Sequence, residues 1–246
     1  MSGFAGIFIR RACAAQRPLP LAFRPLPVGV LGGTFDPLHH GHLRLAQELA
    51  EKLALREVRF IPTGLPPHRA QPVASPQQRL EMGRLGIAGN ALFSLDEREI
   101  FKPTPCYTVE TLLELRAELG ATQSLCLFMG ADAFLGLASW HRWCELFDLA
   151  HIVVAQRPGV ASITRAAASL PAELLNELNR RLVNEPEALH DAPSGAILVQ
   201  PITALDISAT QIRNEFAAGR SPRYLLSDAV LDYIQTNGLY KDTHGT

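Results

Sequence analysis

The 246 residues are 47% hydrophobic and 19% charged, with a formal net charge of −1. That is the balance of a soluble globular chain, long enough for one large α/β domain or two small ones. The charge supplies no bulk attraction for nucleic acid or an anionic membrane, and without a Lys/Arg block neither partner is expected. No apolar run approaches the roughly 18 residues a bilayer span requires. Cys13, Cys106, Cys126 and Cys144 form no C-x-x-C pair, so reduced thiols in a cytoplasmic protein are expected.

Residues 1–27 hold Arg10, Arg11, Arg17 and Arg24, no acid, and Pro18, Pro20, Pro25 and Pro27. A basic, acid-free start suits a transit peptide, but serine is scarce and the prolines interrupt any helix. The reading is a poorly ordered extension, a folded domain over 28–240 and a tail over 241–246.

The stretch VGVLGGTFDPLHHGHLRLAQE starts the domain. An apolar strand over 28–31 runs into Gly32 and Gly33, which let the backbone turn sharply and approach a ligand without a Cβ in the way. A polar loop follows, then a helix opening at 40–42 whose Leu43, Ala46, Leu49, Ala50 and Leu53 recur at helical spacing, with Arg44, Gln47, Glu48 and Glu51 on other faces. The unpaired N–H groups and positive end of that helix attract phosphate. His39 and His42 stand in this mouth as H-x-G-H, with Gly41 leaving room for a phosphate between them. Imidazoles donate to phosphate oxygens. Zinc is disfavoured because no Cys or further His lies at ligand spacing, and neither a Walker A loop nor G-x-G-x-x-G is present.

VRFIP over 58–62 is a second strand, giving a β-α-β unit with a right-handed crossover and parallel strands. The Pro-rich loop after it carries His68 and Arg69 at the strand end where such sheets bind ligands. A helix over 77–88 follows Ser75-Pro76, then a strand over 91–95 and an acidic run, Asp96 to Glu99, read as a solvated face. Thr108 is placed to cap a helix over 109–119, leaving Cys106 and Tyr107 at its N-terminus. No base is placed beside Cys106 for nucleophilic work.

SLCLFM over 124–129 is a fully apolar central strand ending at Gly130-Ala131-Asp132, where Asp132 can cap a helix over 133–138. Trp140 and Trp143 stand in W-H-R-W, one to stack on an aromatic ring and the other to pack inward. HIVVA over 151–155 is another buried strand, with Arg157 just past its end. A helical region over 163–183, a strand over 196–200, a helix over 207–217 capped by Ser208 and a helix over 228–236 ending at Asn237-Gly238 complete the chain. The sum is an α/β, Rossmann-like, doubly wound and mostly parallel sheet with helices on both faces.

GGTFDPLHHGH resembles the G-x-F-D-P-x-H-x-G-H signature of the nucleotidyltransferase superfamily, and ISATQIR over 207–213 resembles its companion I-S-x-T-x-I-R. Two motifs in order are far more specific than either alone. P-P-H-R, C-Y-T in place of S-Y-T, G-x-D and R-P-G narrow the likeness to the bacterial nicotinate-nucleotide adenylyltransferases, over about residues 28–240. The resemblance implies adenylyl transfer from ATP, with Mg²⁺, to nicotinate mononucleotide. His39, His42 and Arg213 would act on the phosphates. ATP would be held by Gly32, Gly33, Thr34, Phe35, His39, Gly41, His42, Gly130, Asp132, Ile207, Ser208, Thr210 and Arg213. The mononucleotide would meet Asp36, His68, Arg69, Tyr107, Thr108, Trp140 and Arg157, with Trp140 on the pyridine ring and Trp143 in the core. No metal-ligating side chain is expected, and a homo-oligomer is compatible. The alternatives are another acceptor, nicotinamide mononucleotide or phosphopantetheine, or a nucleotide-binding module without turnover.

Overall fold

The computed structural model describes residues 25–65, 71–157, 170–203 and 205–241. The N-terminal extension up to residue 24 and the tail from 242 lie outside them. The apolar runs become the strands β1 (Val28–Gly33), β2 (Glu57–Pro62), β3 (Phe93–Leu95), β4 (Leu125–Gly130), β5 (His151–Gln156), β6 (Leu182–Val183) and β7 (Ile197–Pro201). They form one sheet in the order β3-β2-β1-β4-β5-β7-β6, and every pairing is parallel. After β3 the chain crosses back to the far side of β1. The winding therefore reverses between β1 and β4, which opens a crevice at the carboxyl ends of those strands.

The helices are α1 (His40–Lys52), α2 (Pro76–Ile87), α3 (Thr108–Leu119), α4 (Ala131–Leu135), α5 (Leu146–Leu149), α6 (Ala172–Arg181), α7 (Ala209–Ala217) and α8 (Asp228–Thr236). Strand alternation sorts the core into two layers. Leu125, Leu127 and Met129 face one way, onto Val109, Leu112 and Leu115 of α3 and Leu174 and Leu178 of α6. Cys126 and Phe128 face the other, onto Ala46, Leu49 and Ala50 of α1. Each Leu, Val, Met or Phe among them contributes roughly 1.5–3 kcal/mol on full burial. A third cluster joins Met82 of α2 to Ile212 and Phe216 of α7 and Val230, Leu231 and Ile234 of α8. That cluster packs the helix of the second motif against α2 and α8.

Several element ends differ from the sequence reading. Thr108 is the first residue of α3 and Tyr107 its N-cap, with no side-chain cap. Helix α4 starts at Ala131 with Gly130 in the N-cap position, so Asp132 lies inside its first turn, and a 3₁₀ turn, Leu137–Ser139, follows. The expected helix over 163–183 is described only from α6 onward. Its end is wrong: Leu182 and Val183 pair with Ile197 and Leu198 as an edge strand. Glu48 is buried, not on an outer face, because it accepts from Arg44 Nε at 2.6 Å and Thr203 N–H at 2.8 Å. The acidic run is not wholly solvated either. Asp96 pairs with Arg98, and Glu99 turns inward to accept from Thr111 Oγ1 at 2.5 Å. Among the described residues no helix is long and apolar enough to cross a membrane.

Candidate active site

Two clefts open on the carboxyl edge of the sheet, of about 270 Å³ and 570 Å³. Gly32, Gly33 and Thr34, at the end of β1, line both. The larger holds both motifs: His39, Gly41, His42, Ile207, Ser208, Thr210 and Arg213, with Arg157. The smaller holds Tyr107, Thr108 and Trp140.

The sharp turn of the first motif is made not by its glycines but by Phe35, at φ 48°. Phe35 is buried. Its ring packs on Gly33, where a Cβ would come within 2.8 Å of it, and stands edge-on to His42 with centroids 5.1 Å apart. Phe35, which also lines the larger cleft, thus props His42. At Gly32 a Cβ would meet nothing.

His39 and His42 stack with ring centroids 3.8 Å apart, as residues three apart at a helix start can. The His39 N–H donates to His42 Nδ1 at 3.4 Å, which leaves the proton of a neutral His42 on Nε2. Burial drives the His42 pKa well below its ordinary value, and the neighbouring His39 adds to this. Burial likewise lowers His39 to about 4, reinforced by His40 and Arg157. Both rings are therefore neutral donors near pH 7. The buried His39 Nδ1 has no partner among the described residues, a polar atom that a bound ligand can satisfy.

Fewer α1 N–H groups face the cleft than the sequence suggests. His40 N–H donates to the Leu225 carbonyl at 2.9 Å, and those of His42 and Leu43 return to His39. Gly41, which lines the cleft, is not among these donors. At α7 the Ser208 Oγ accepts from Gln211 N–H at 3.1 Å, and Ala209 and Thr210 ahead of it line the same cleft. Arg213, one turn on, donates Nη1 to the Asp36 carbonyl at 2.7 Å and Nη2 to Thr210 Oγ1 at 3.2 Å. The two motifs meet by direct contact.

Asp36 is placed otherwise than expected. Its buried carboxylate accepts from Val73 N–H at 2.8 Å, Ala74 N–H at 3.2 Å and Tyr240 Oη at 2.6 Å, so it joins loops and does not reach the smaller cleft. Arg157 was expected at the mononucleotide but lines the larger cleft, beside His39. Gly130 and Asp132 are exposed at the same sheet edge and line neither cleft. His68 and Arg69 lie outside the described residues.

In the smaller cleft Trp140 is half-buried and Trp143 packs in the core. Tyr107 and Thr108 present the start of α3, whose positive end suits an anion. Sequence reasoning missed His141, whose ring lies 4.4 Å from that of Tyr107. It also missed Thr63 and Glu99 on the same wall. Thr63 follows β2 directly and was open to the strand-end rule. Glu99 gave no signal beyond its acidic neighbours. Burial raises its carboxyl pKa, with Thr111 opposing. The Cys106 thiol is buried against the carbonyls of Glu99 and Thr104 at 3.7 and 3.6 Å, and burial raises its pKa too.

A family model described as cytidylyltransferase-like matches residues 30–215. A relative from Dechloromonas aromatica described as "Probable nicotinate-nucleotide adenylyltransferase" is 53% identical over 88% of this chain and 99% of its own. One of the same description from Halorhodospira halophila is 51% identical over 87% and 94%. Among solved structures, nicotinic acid mononucleotide adenylyltransferase of Plasmodium falciparum complexed with NaAD superposes with a TM-score of 0.63 at 14% identity, over 87% of this chain and 97% of that one. At that identity the superposition speaks for the fold alone. With the matched model spanning both motifs, and relatives about half identical across nearly the whole described chain, the chain belongs to the cytidylyltransferase-like family and, within it, to the nicotinate-nucleotide adenylyltransferases.

Proposed function

We propose that the chain joins the adenylyl group of ATP to the phosphate of nicotinate mononucleotide, giving nicotinate adenine dinucleotide and pyrophosphate. The observation that carries this is the shared wall: Gly32, Gly33 and Thr34 border both clefts, so a phosphate from each side can meet there.

An oxygen of the mononucleotide phosphate forms a bond to the α-phosphorus of ATP while the bond to pyrophosphate breaks. The attacking group is already ionised near neutrality, so no general base is required. What the protein must do is align two polyanions and stabilise charge on the transferred and departing phosphates. His39 and His42 donate hydrogen bonds there, Arg213 adds charge, and the α7 N-terminus holds the far end of the triphosphate. Trp140 stacks on the pyridine ring, and the start of α3 at Thr108 takes the carboxylate. His68 and Arg69 serve the mononucleotide phosphate, Arg157 the triphosphate, and Asp132 the adenosine hydroxyls.

Among the described residues no group of three or more His, Cys, Asp or Glu could hold a metal ion, and the one acid of the larger cleft, Asp36, is committed to internal bonds. Magnesium on this reading comes with ATP, bound to its phosphate oxygens and water, as this ion prefers. It is part of the substrate.

The test is pyrophosphate release with ATP and Mg²⁺ fixed and the acceptor varied among nicotinate mononucleotide, nicotinamide mononucleotide and phosphopantetheine. Nicotinate mononucleotide should give the highest kcat/KM. A better rate with either of the others would reassign the acceptor. ATP binding by calorimetry without release from any of them would make the chain a binding module.

A further inference from the structure

Arg79, on α2, is the largest of the fully buried side chains at 1% exposed, and no step above uses it. The β1–β2 ladder reaches its end where Thr63 N–H donates to the Gly33 carbonyl at 2.9 Å. Beyond that point the two chains part, into the loop of the first motif and the loop after β2. Arg79 spans the gap: Nη1 donates to the Thr34 carbonyl at 2.9 Å and to the Thr63 carbonyl at 2.7 Å. Thr34 borders both clefts and Thr63 the smaller one. One guanidinium nitrogen therefore sets the separation of the two segments between which the phosphates must meet.

The arrangement is costly. A guanidinium stays charged in a protein, and a buried charge without a direct counter-charge is unfavourable. Both described acceptors of Arg79 are neutral carbonyls, and its Nε has no partner among the described residues. The acid whose field it feels is Asp36, which is already satisfied by Val73, Ala74 and Tyr240. A leucine or methionine would fill the same space without that cost, but neither could take two carbonyls at once.

We propose that Arg79 is a positioning residue for the transfer step: by clamping the Thr34 and Thr63 carbonyls it holds the ends of β1 and β2 so that the mononucleotide phosphate lies in line with the α-phosphorus. This rests on the transfer reading above. It separates two quantities that a merely structural residue would move together. Each substrate binds mainly through its own cleft, so single-ligand affinities should survive loss of the clamp. Their mutual alignment should not, and misplacement by about 1 Å can cost on the order of 100-fold in rate.

The experiment compares wild type, Arg79→Lys and Arg79→Met. Dissociation constants for α,β-methylene-ATP and for nicotinate mononucleotide are measured separately, the latter by tryptophan fluorescence, and kcat by pyrophosphate release. The expected result is both constants within about 3-fold of wild type, kcat lowered at least ~30-fold in Arg79→Met and less in Arg79→Lys. If Arg79→Met does not fold, Arg79→Lys carries the test, with an expected kcat loss of about 10-fold. A folded variant with kcat within 2-fold of wild type, or one that loses affinity while kcat is unchanged, overturns the assignment. Wild type inactive with every acceptor would instead overturn the transfer reading.

Discussion

The guanidinium of Arg213 donates to the backbone carbonyl of Asp36 at 2.7 Å, across 177 residues of sequence. The loop of the first motif and the helix of the second thus share a hydrogen bond at the wall of the larger cleft. Replacing Arg213 by Ala removes both that contact and the cation. Loss of one such charged donor typically costs 10²–10³ in rate, about 2.7–4 kcal/mol, so kcat should fall at least ~100-fold. Steady-state pyrophosphate release measures it, and a near-normal kcat would remove Arg213 from the machinery.

On the proposed transfer, His42→Ala should lower kcat to a similar degree, at least ~100-fold, because one hydrogen-bond donor to the developing charge is lost. Gly41→Ala tests the neighbouring ring without removing it. A Cβ there would stand 3.0 Å from His39 Cε1 and Nδ1, so the ring must give by a few tenths of an ångström. The expected outcome is a kcat loss of about 10-fold or more with an almost unchanged melting temperature. Unaltered kcat would mean that the position of His39 is not critical.

Acid should weaken the fold through its buried imidazoles. His39 and His151 are lowered to about 4 and His42 well below its ordinary value, chiefly by burial. The unfolded chain binds their protons first, below about 6.5, so stability rises with pH across that window. It is fully present above about pH 6.5 and is lost as pH falls toward 4. Urea midpoints from pH 7 to 4.5 check this, and His39→Gln should flatten the slope. His151 is a structural member of the set, bonded to the Ala192 carbonyl at 2.9 Å and Ala196 N–H at 3.0 Å. His151→Leu should destabilise by about 1–3 kcal/mol with little effect on kcat.

Cys106→Ser should leave kcat within about 2-fold. The thiol makes only weak contacts with carbonyls, and burial holds it protonated at neutral pH, so it is no nucleophile. Loss of turnover in a folded Cys106→Ser protein would contradict that.

The parts legible in the sequence were those written in local pattern. Apolar runs such as SLCLFM and HIVVA gave β4 and β5, and Ser75 and Ser208 each cap a helix as hydroxyls do. The two motifs were legible because glycine, histidine and arginine stood in order. What stayed hidden depends on partners distant in the chain. Nothing local marks Leu182 and Val183 as a strand, since their pairing with β7 decides it. Nothing in the sequence singled out Arg79, and Asp36 read like a ligand until the loops it holds were placed around it. His141 was overlooked between two tryptophans, although its ring meets Tyr107 in the cleft.

Tyr240 Oη donates to Asp36 Oδ1 at 2.6 Å, 204 residues away. A residue that follows the last described helix is therefore inserted behind the loop of the first motif, like a wedge. Synthesis must pass residue 240 before that wedge can seat. A partly synthesised or clipped chain ending short of it would contain every strand of the sheet, yet leave the aspartate with an acceptor unfilled and the loop of the first motif unbraced.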